Sequence, residues 1–217
     1  IVDAGVDVAW AAAQAALGAF ANSGQICVSV ERIYVHADIA DDFLTALSGE
    51  AAEWASRIGP LVDTRLRDAV HAQVQAAVAA GAKVLTGGDI PDGPGAYYPP
   101  TVLADCTDDM EVVAEETFGP VAAVVVVDSF ADAMSRAASS PYGLAASVLT
   151  ASMSHAQQAR RGLPVGTVKI NNVFGGAPAG AAQPRGVSGQ GFGYGPELLD
   201  EMTTTKVVHL EDPPNGW

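Results

Sequence analysis

The chain has 217 residues, 49% of them hydrophobic and 17% charged, enough apolar material to bury a core without disulfide or metal staples. Its 25 acidic against 11 basic side chains leave a formal charge of -14, a surface that repels phosphate backbones and anionic lipid and so argues against nucleic-acid or membrane partners. The longest apolar run, Val121–Val127, is strand length, and the first residues carry Asp3 and Asp7 with no basic region, so neither a membrane span nor a signal peptide is expected.

In chain order, Val6, Trp10, Ala13, Leu17 and Phe20 recur at helical spacing and predict a first helix. Asp3 and Asp7 fall at its start, where acids suit the dipole, and Asn22-Ser23-Gly24 ends it. The stretch 32–36 reads as a buried strand. Asp38 is a candidate cap for a second helix whose Ile39, Phe43, Leu47 and Trp54 face inward. Leu66, Val70, Val74 and Val78 predict a third helix over 64–80, closed by Gly81. A short strand at 83–86 precedes a Gly- and Pro-rich loop at 87–100 and a strand at 101–103. Residues 121–128 are apolar on both faces, as in the centre of a parallel sheet. Ser129 with Asp132 is a capping signal for a helix carrying Phe130 and Met134. A strand at 145–150, a helix at 152–161 and a strand at 167–170 follow. The Gly, Ala and Pro of 175–195 predict loop, 196–202 a short helix, and 206–210 a last strand. Strands alternate with helices without repeat or linker. The expectation is one domain over 1–217 of α/β class, three-layer α/β/α with a largely parallel central sheet.

Chemistry concentrates at Phe20-Ala21-Asn22-Ser23-Gly24-Gln25-Ile26-Cys27, where a helix ends, the backbone turns and a thiol stands before a strand. Such a thiol is either a nucleophile facing a cleft or a small buried hydrophobe. Glu115-Glu116 before the strand at 121 is either a ligand-binding pair or a solvated acidic surface. Cys106, with no Cys-x-x-Cys in the chain, reads as structural. His36, His71, His155 and His209 fall on separate elements, so no metal site is expected. Two distant cysteines in a domain of this size predict free thiols and a reducing, cytoplasmic setting.

Phe-x-x-x-Gly-Gln-x-Cys ending at Cys27 resembles the active-site signature of the aldehyde dehydrogenase superfamily. Glu115-Glu116-Thr117-Phe118-Gly119-Pro120 resembles that family's Glu-Glu-x-Phe-Gly-Pro block. Tyr142-Gly143-Leu144-Ala145, Gly166-Thr167-Val168-Lys169-Ile170-Asn171 and Ser188-Gly189-Gln190-Gly191 resemble three further family segments in the same order. The similarity covers the chain but only the second, catalytic part of the family's full length. Departures fall at Gln183-Pro184, Gly186 and Lys169, the last standing where many relatives carry an aromatic residue.

The resemblance implies that the Cys27 thiolate adds to an aldehyde, that its backbone N–H donates to the oxyanion, and that hydride passes to NAD or NADP. A thioester is then released by base-activated water. Glu116 would hold the nicotinamide ribose hydroxyls and Phe118 would support the ring. The family's general-base Glu, second oxyanion donor and cofactor-binding domain lie upstream and have no counterpart in this chain, so the isolated piece is expected to lack dehydrogenase turnover. Two alternatives stand beside that reading. One is a thiol-dependent esterase or acyl-transfer module built on Cys27. The other is a non-catalytic module forming a homo-oligomer through the last strand, an exposed edge.

Overall fold

Strand β4 (Val121–Val127) runs through the centre of the molecule, as a sequence apolar on both faces requires. It pairs parallel with β1 (Arg32–His36) on one side and with β3 (Thr101–Ala104) on the other, and β2 (Lys83–Thr86) adds antiparallel beyond β3. A second parallel pair is formed by β5 (Ala145–Val148) and β6 (Thr167–Ile170). The computed structural model describes residues 1–175 and 183–214.

The two sheets are continuous through residues 1–3. Val2 N–H donates to Tyr34 O and His36 N–H donates to Val2 O, while Asp3 N–H donates to Leu149 O and Leu149 N–H to Ile1 O. Sequence periodicity cannot detect so short an element. Asp3 is therefore not at a helix start, as expected, but buried in the sheet. There its carboxylate accepts from Thr150 Oγ1 at 2.5 Å and lies 2.6 Å from His155 Nδ1.

Alternation along β4 separates the two outer layers. Ala122 and Val124 pack with α1 (Val8–Phe20) and α2 (Ala40–Trp54). Ala123, Val125 and Val127 pack with α3 (Thr64–Ala79), α4 (Glu111–Ala114) and α5 (Phe130–Ser139). Phe130 and Val148 meet Ala159 and Leu163 at α6 (Met153–Gly162). This is the three-layer α/β/α arrangement with a largely parallel sheet. Among the described residues no helix is long and apolar enough to cross a membrane.

Helix starts follow local chemistry. Asp7, Asp63, Ser129 and Ser152 each accept from the backbone N–H three residues on, worth about 1 kcal/mol apiece. Asp38 does not cap α2. It lies in a single 3₁₀ turn, Ala37–Ile39, where His36 Nδ1 accepts its N–H, and α2 starts without a side-chain cap.

The inward face of α1 also differs from the predicted stripe. Ala11, Ala12, Ala15, Ala16 and Ala19 are buried with Phe20, while Trp10 is 37% exposed and Ala13 and Leu17 are half-buried. Small residues let α1 lie close against α2 and the sheet, which leaves the bulky ones at the margin. Gly18 continues this close approach, since a Cβ there would stand 2.5 Å from Val30 Cγ2.

The expected strand at 206–210 does not form. Residues 203–213 carry no regular structure and Val207 is 90% exposed. A strand exists only with a ladder partner, and none of the described residues supplies one. The short helix before it, α7, spans Pro196–Glu201. Of the expected loop at 175–195, residues 176–182 lie outside the described residues.

Candidate active site

Three successive residues after α1, Asn22, Ser23 and Gly24, adopt φ of 52°, 59° and 73°. Left-handed backbone is costly for residues with a Cβ, so this turn must be held by its contacts. Asn22 Nδ2 donates to Gln25 O at 3.1 Å, and Ser23 Oγ donates to Gly59 O at 2.8 Å. Gln25 Oε1 accepts from Val62 N–H at 3.0 Å. Ser29 N–H then donates to Ile26 O at 2.8 Å, closing a tight turn with Cys27 on its outer corner, and Val30 N–H ties back to Gly18 O. The Cys27 thiol is exposed. Its N–H makes no hydrogen bond among the described residues and so is available to a ligand.

Cys106 is the opposite case. It is buried behind β3, its S–H directed at Leu103 O at 3.8 Å, and burial pushes its pKa up to about 11.

Glu116 is exposed in the loop that follows α4, and it lines with Cys27 one cavity of about 350 Å³. The two loops touch: a Cβ on Gly24 would fall 2.0 Å from Gly119 O. On its other side Gly119 abuts α3, where an added Cβ would lie 2.6 Å from Val70 Cγ2. Phe118 is half-buried at φ 52°; it belongs to the same loop but does not line the cavity.

Sequence reasoning missed Glu31. Its carboxylate accepts Thr117 N–H at 3.0 Å through Oε2 and Phe118 N–H at 3.2 Å through Oε1. Burial pushes the carboxyl up to about 6, the two backbone donors hold it down, and Glu116 raises it further. No periodicity or motif marks this residue, because its partners are 86 and 87 residues away.

Arg32 donates to Ser140 Oγ at 2.7 Å and lies 5.3 Å over the Tyr142 ring, whose hydroxyl donates to Glu115 Oε2 at 3.0 Å. Gly143 N–H donates to Ser188 Oγ at 3.1 Å, which brings the late Ser188-Gly189 turn against the Tyr142-Gly143 segment. Lys169 on β6 donates to Val173 O at 2.6 Å. Burial lowers its pKa, and the charge of a Cys27 thiolate would oppose that shift. The rest of the cavity wall combines apolar side chains such as Val28, Val30, Leu144 and Val173 with polar ones, among them Ser29, Glu31, Arg32 and Ser188. An exposed thiol, a free N–H donor and an outward carboxylate around apolar walls can bind a carbonyl compound and attack it.

The model of the aldehyde dehydrogenase family matches residues 1–208. An aldehyde dehydrogenase of Paenarthrobacter nicotinovorans is 38% identical over 219 residues, which cover 96% of this chain and 47% of that protein. Lactaldehyde dehydrogenase of Escherichia coli (strain K12) is 38% identical over 200 residues, 88% of this chain and 42% of that one. The crystal structure of the Escherichia coli lactaldehyde dehydrogenase superimposes with a TM-score of 0.88 at 36% identity, covering 96% of this chain and 46% of that one. The structure of 3,6-anhydro-L-galactose dehydrogenase in complex with NAP gives a TM-score of 0.86 at 32% identity, covering 92% and 44%. The chain thus spans a little under half the length of these proteins. Its sequence and its fold agree with that family along nearly all of its length, and the chain belongs to the aldehyde dehydrogenase family.

Proposed function

We propose that the chain is the cysteine-bearing catalytic domain of an NAD(P)-dependent aldehyde dehydrogenase, and that it oxidises an aldehyde to a carboxylic acid only when a cofactor-binding domain is supplied in cis or in trans. The observation that carries this is the meeting of Cys27 and Glu116 around one cavity, with Gly24 packed directly on Gly119. The neighbours solved with NAP and with NAD+ support the cofactor class.

The residues present suit the nicotinamide end of such a cofactor. Glu116 is exposed and makes no ion pair among the described residues, so both carboxylate oxygens can accept ribose hydroxyls, and Phe118, on the same loop but outside the cavity lining, is the residue assigned to support the nicotinamide ring. The glycines at 189–195 follow no strand and open only a six-residue helix, so they do not make a dinucleotide cradle. The adenosine end therefore belongs to the other domain.

In this reading the Cys27 thiolate adds to the aldehyde carbon, and its own backbone N–H donates to the oxyanion that forms. When bound, NAD(P) would supply the hydride acceptor, with Glu116 holding its ribose hydroxyls. The acyl group then remains on Cys27 as a thioester until water, activated by a base outside this chain, releases the acid and frees the sulfur. Two free thiols support a reducing, cytoplasmic setting.

A second role is supported by the exposed tail. Val207, Val208 and Leu210 stand open to solvent, an apolar run suited to pairing with a second copy. The test of the main reading is a three-step comparison. The expected results are alkylation of Cys27 before Cys106, turnover of an activated ester that is lost in Cys27→Ala, and aldehyde oxidation once the upstream domain is added. Ester turnover that persists in Cys27→Ala, or an unreactive Cys27, overturns it.

A further inference from the structure

We propose that Glu31 is the positioning residue of the 115–120 loop: its ionised carboxylate grips the N–H groups of Thr117 and Phe118 and thereby sets where Glu116 stands relative to Cys27. The inference rests on the reading of Glu116 as a cofactor contact.

Three observations carry it. Each oxygen of Glu31 accepts one backbone N–H, at 3.0 and 3.2 Å, from the two residues that directly follow Glu116. Glu31 lines the same cavity as Cys27 and Glu116, so the grip is made inside the site. Nothing polar on the loop's side chains substitutes for it at that point, since Thr117 Oγ1 is buried without a partner. The contact also joins two segments that otherwise meet only by packing. Glu31 ends the Cys27 turn and leads directly into β1, while Thr117 and Phe118 lead into β4.

The same geometry gives Glu31 a holding role. Each oxygen accepts one backbone N–H, and the lone pair left on each is the only route by which the carboxylate could also take a proton. The groups that face it are Glu116 from the gripped loop and Arg32 from its own segment, with Tyr34, Tyr142 and Cys27 along the same cavity. Glu116 opposes ionisation of Glu31 and Arg32 favours it. A carboxylate that accepts two backbone N–H groups is tuned by these neighbours to hold the loop when charged and to loosen it when protonated.

The test uses Glu31→Gln and Glu31→Asp. The first keeps the shape but offers one acceptor and faces the second N–H with a donor; the second keeps the charge on a shorter stem. On the chain itself, amide hydrogen exchange at Thr117 and Phe118 is followed by NMR. Exchange is expected to speed up about tenfold in Glu31→Gln and less in Glu31→Asp, the scale of one lost charge-assisted bond. In the chain joined to its upstream domain, NADH titration is expected to show a Kd about tenfold weaker for Glu31→Gln. The cofactor KM should rise in parallel while kcat at saturating cofactor changes by less than about threefold. Unchanged exchange at both amides overturns the grip. Faster exchange with an unchanged NADH Kd overturns the positioning role, and a loss confined to kcat makes Glu31 a proton-transfer group instead. Native enzyme that binds no NADH sinks the reading of Glu116 while the amide result still judges the grip.

Discussion

At Gly24 and Gly119 the two loops of the site lie backbone against backbone, and filling that contact is a sharp perturbation. In Gly24→Ala the new methyl would stand 2.0 Å from Gly119 O and 2.4 Å from Gly119 C, in a backbone held at φ +73°. An alanine in left-handed backbone costs about 1–2 kcal/mol. The collision is with main chain rather than a flexible side-chain tip, so one loop must move by about 1 Å, at the about 1–3 kcal/mol typical of overpacking. The sum is about 3 kcal/mol, a fall of roughly 9 °C in Tm for a chain of this size. Gly49 is the control, because it lies inside α2 and a Cβ there meets nothing within 4 Å. Gly49→Ala should raise stability by about 0.5–1 kcal/mol, near 2 °C. Calorimetric melts of the three proteins, with the rate of Cys27 alkylation in each, make the comparison. Gly24→Ala that melts within about 2 °C of the native chain, with Cys27 alkylated at the native rate, would refute the packing of the two loops.

At pH 7.5 a limiting amount of iodoacetamide should label Cys27 at least about 100-fold faster than Cys106, which is buried with its pKa raised to about 11; peptide mapping that finds Cys106 labelled first defeats the assignment. Lys169→Met should lower the ratio of iodoacetate to iodoacetamide rates at Cys27 by about threefold at low salt, since an ammonium whose charge is felt at the sulfur attracts the anionic reagent; a ratio that does not move removes Lys169 from the site. Glu31 supplies a pH dependence. Its folded value, about 6, lies above the ordinary 4.5, so the fold binds that proton more tightly than the unfolded chain does. The associated stabilisation, about 2 kcal/mol, is present in full below pH 4.5 and is lost as pH rises through 6. Urea unfolding at pH 4.5 and 7 should show the native chain losing that amount relative to Glu31→Gln, and a constant difference between the two would mean the carboxyl is not desolvated.

What could be read in advance was whatever a few neighbouring residues decide. The apolar run of β4 had to be central, and Ser129 and Ser152 had to start helices, because those preferences are settled within one turn or one pleat. The Cys27 turn was legible as a family motif and as a helix end followed by glycine. The burial of α1 was not, because its stripe of large residues is outcompeted by alanines once a second helix lies close by. The bridge at residues 1–3 is not legible because it consists of bonds to Tyr34 and Leu149, not of a pattern in its own residues. The strand expected at 206–210 failed for the converse reason, a suitable pattern without a partner among the described residues. Glu31 combines both difficulties, a single polar residue whose role is defined wholly by a distant loop.

The sheet explains why the two loops meet at all. Cys27 and Glu116 each stand five residues before the first residue of a strand, β1 and β4, and those strands are parallel neighbours in register Arg32↔Ala123. The Tyr142-Gly143-Leu144 segment likewise leads into β5, which runs parallel to the others through Val2. The candidate site is therefore a row of strand entrances, whereas ligands of open α/β sheets commonly sit at strand exits. The exit side carries the Asp3–Thr150–His155 cluster instead. Residues at strand entrances inherit their spacing from the ladder, and a slip of one residue between β1 and β4 would carry Cys27 about 3.3 Å past Glu116. It would also turn Ile33 and Val35 out of their layer, which the buried faces of both strands forbid. The core that fixes the register of β1 on β4 thus brings the two loops face to face, and within that frame the grip of Glu31 sets the place of Glu116.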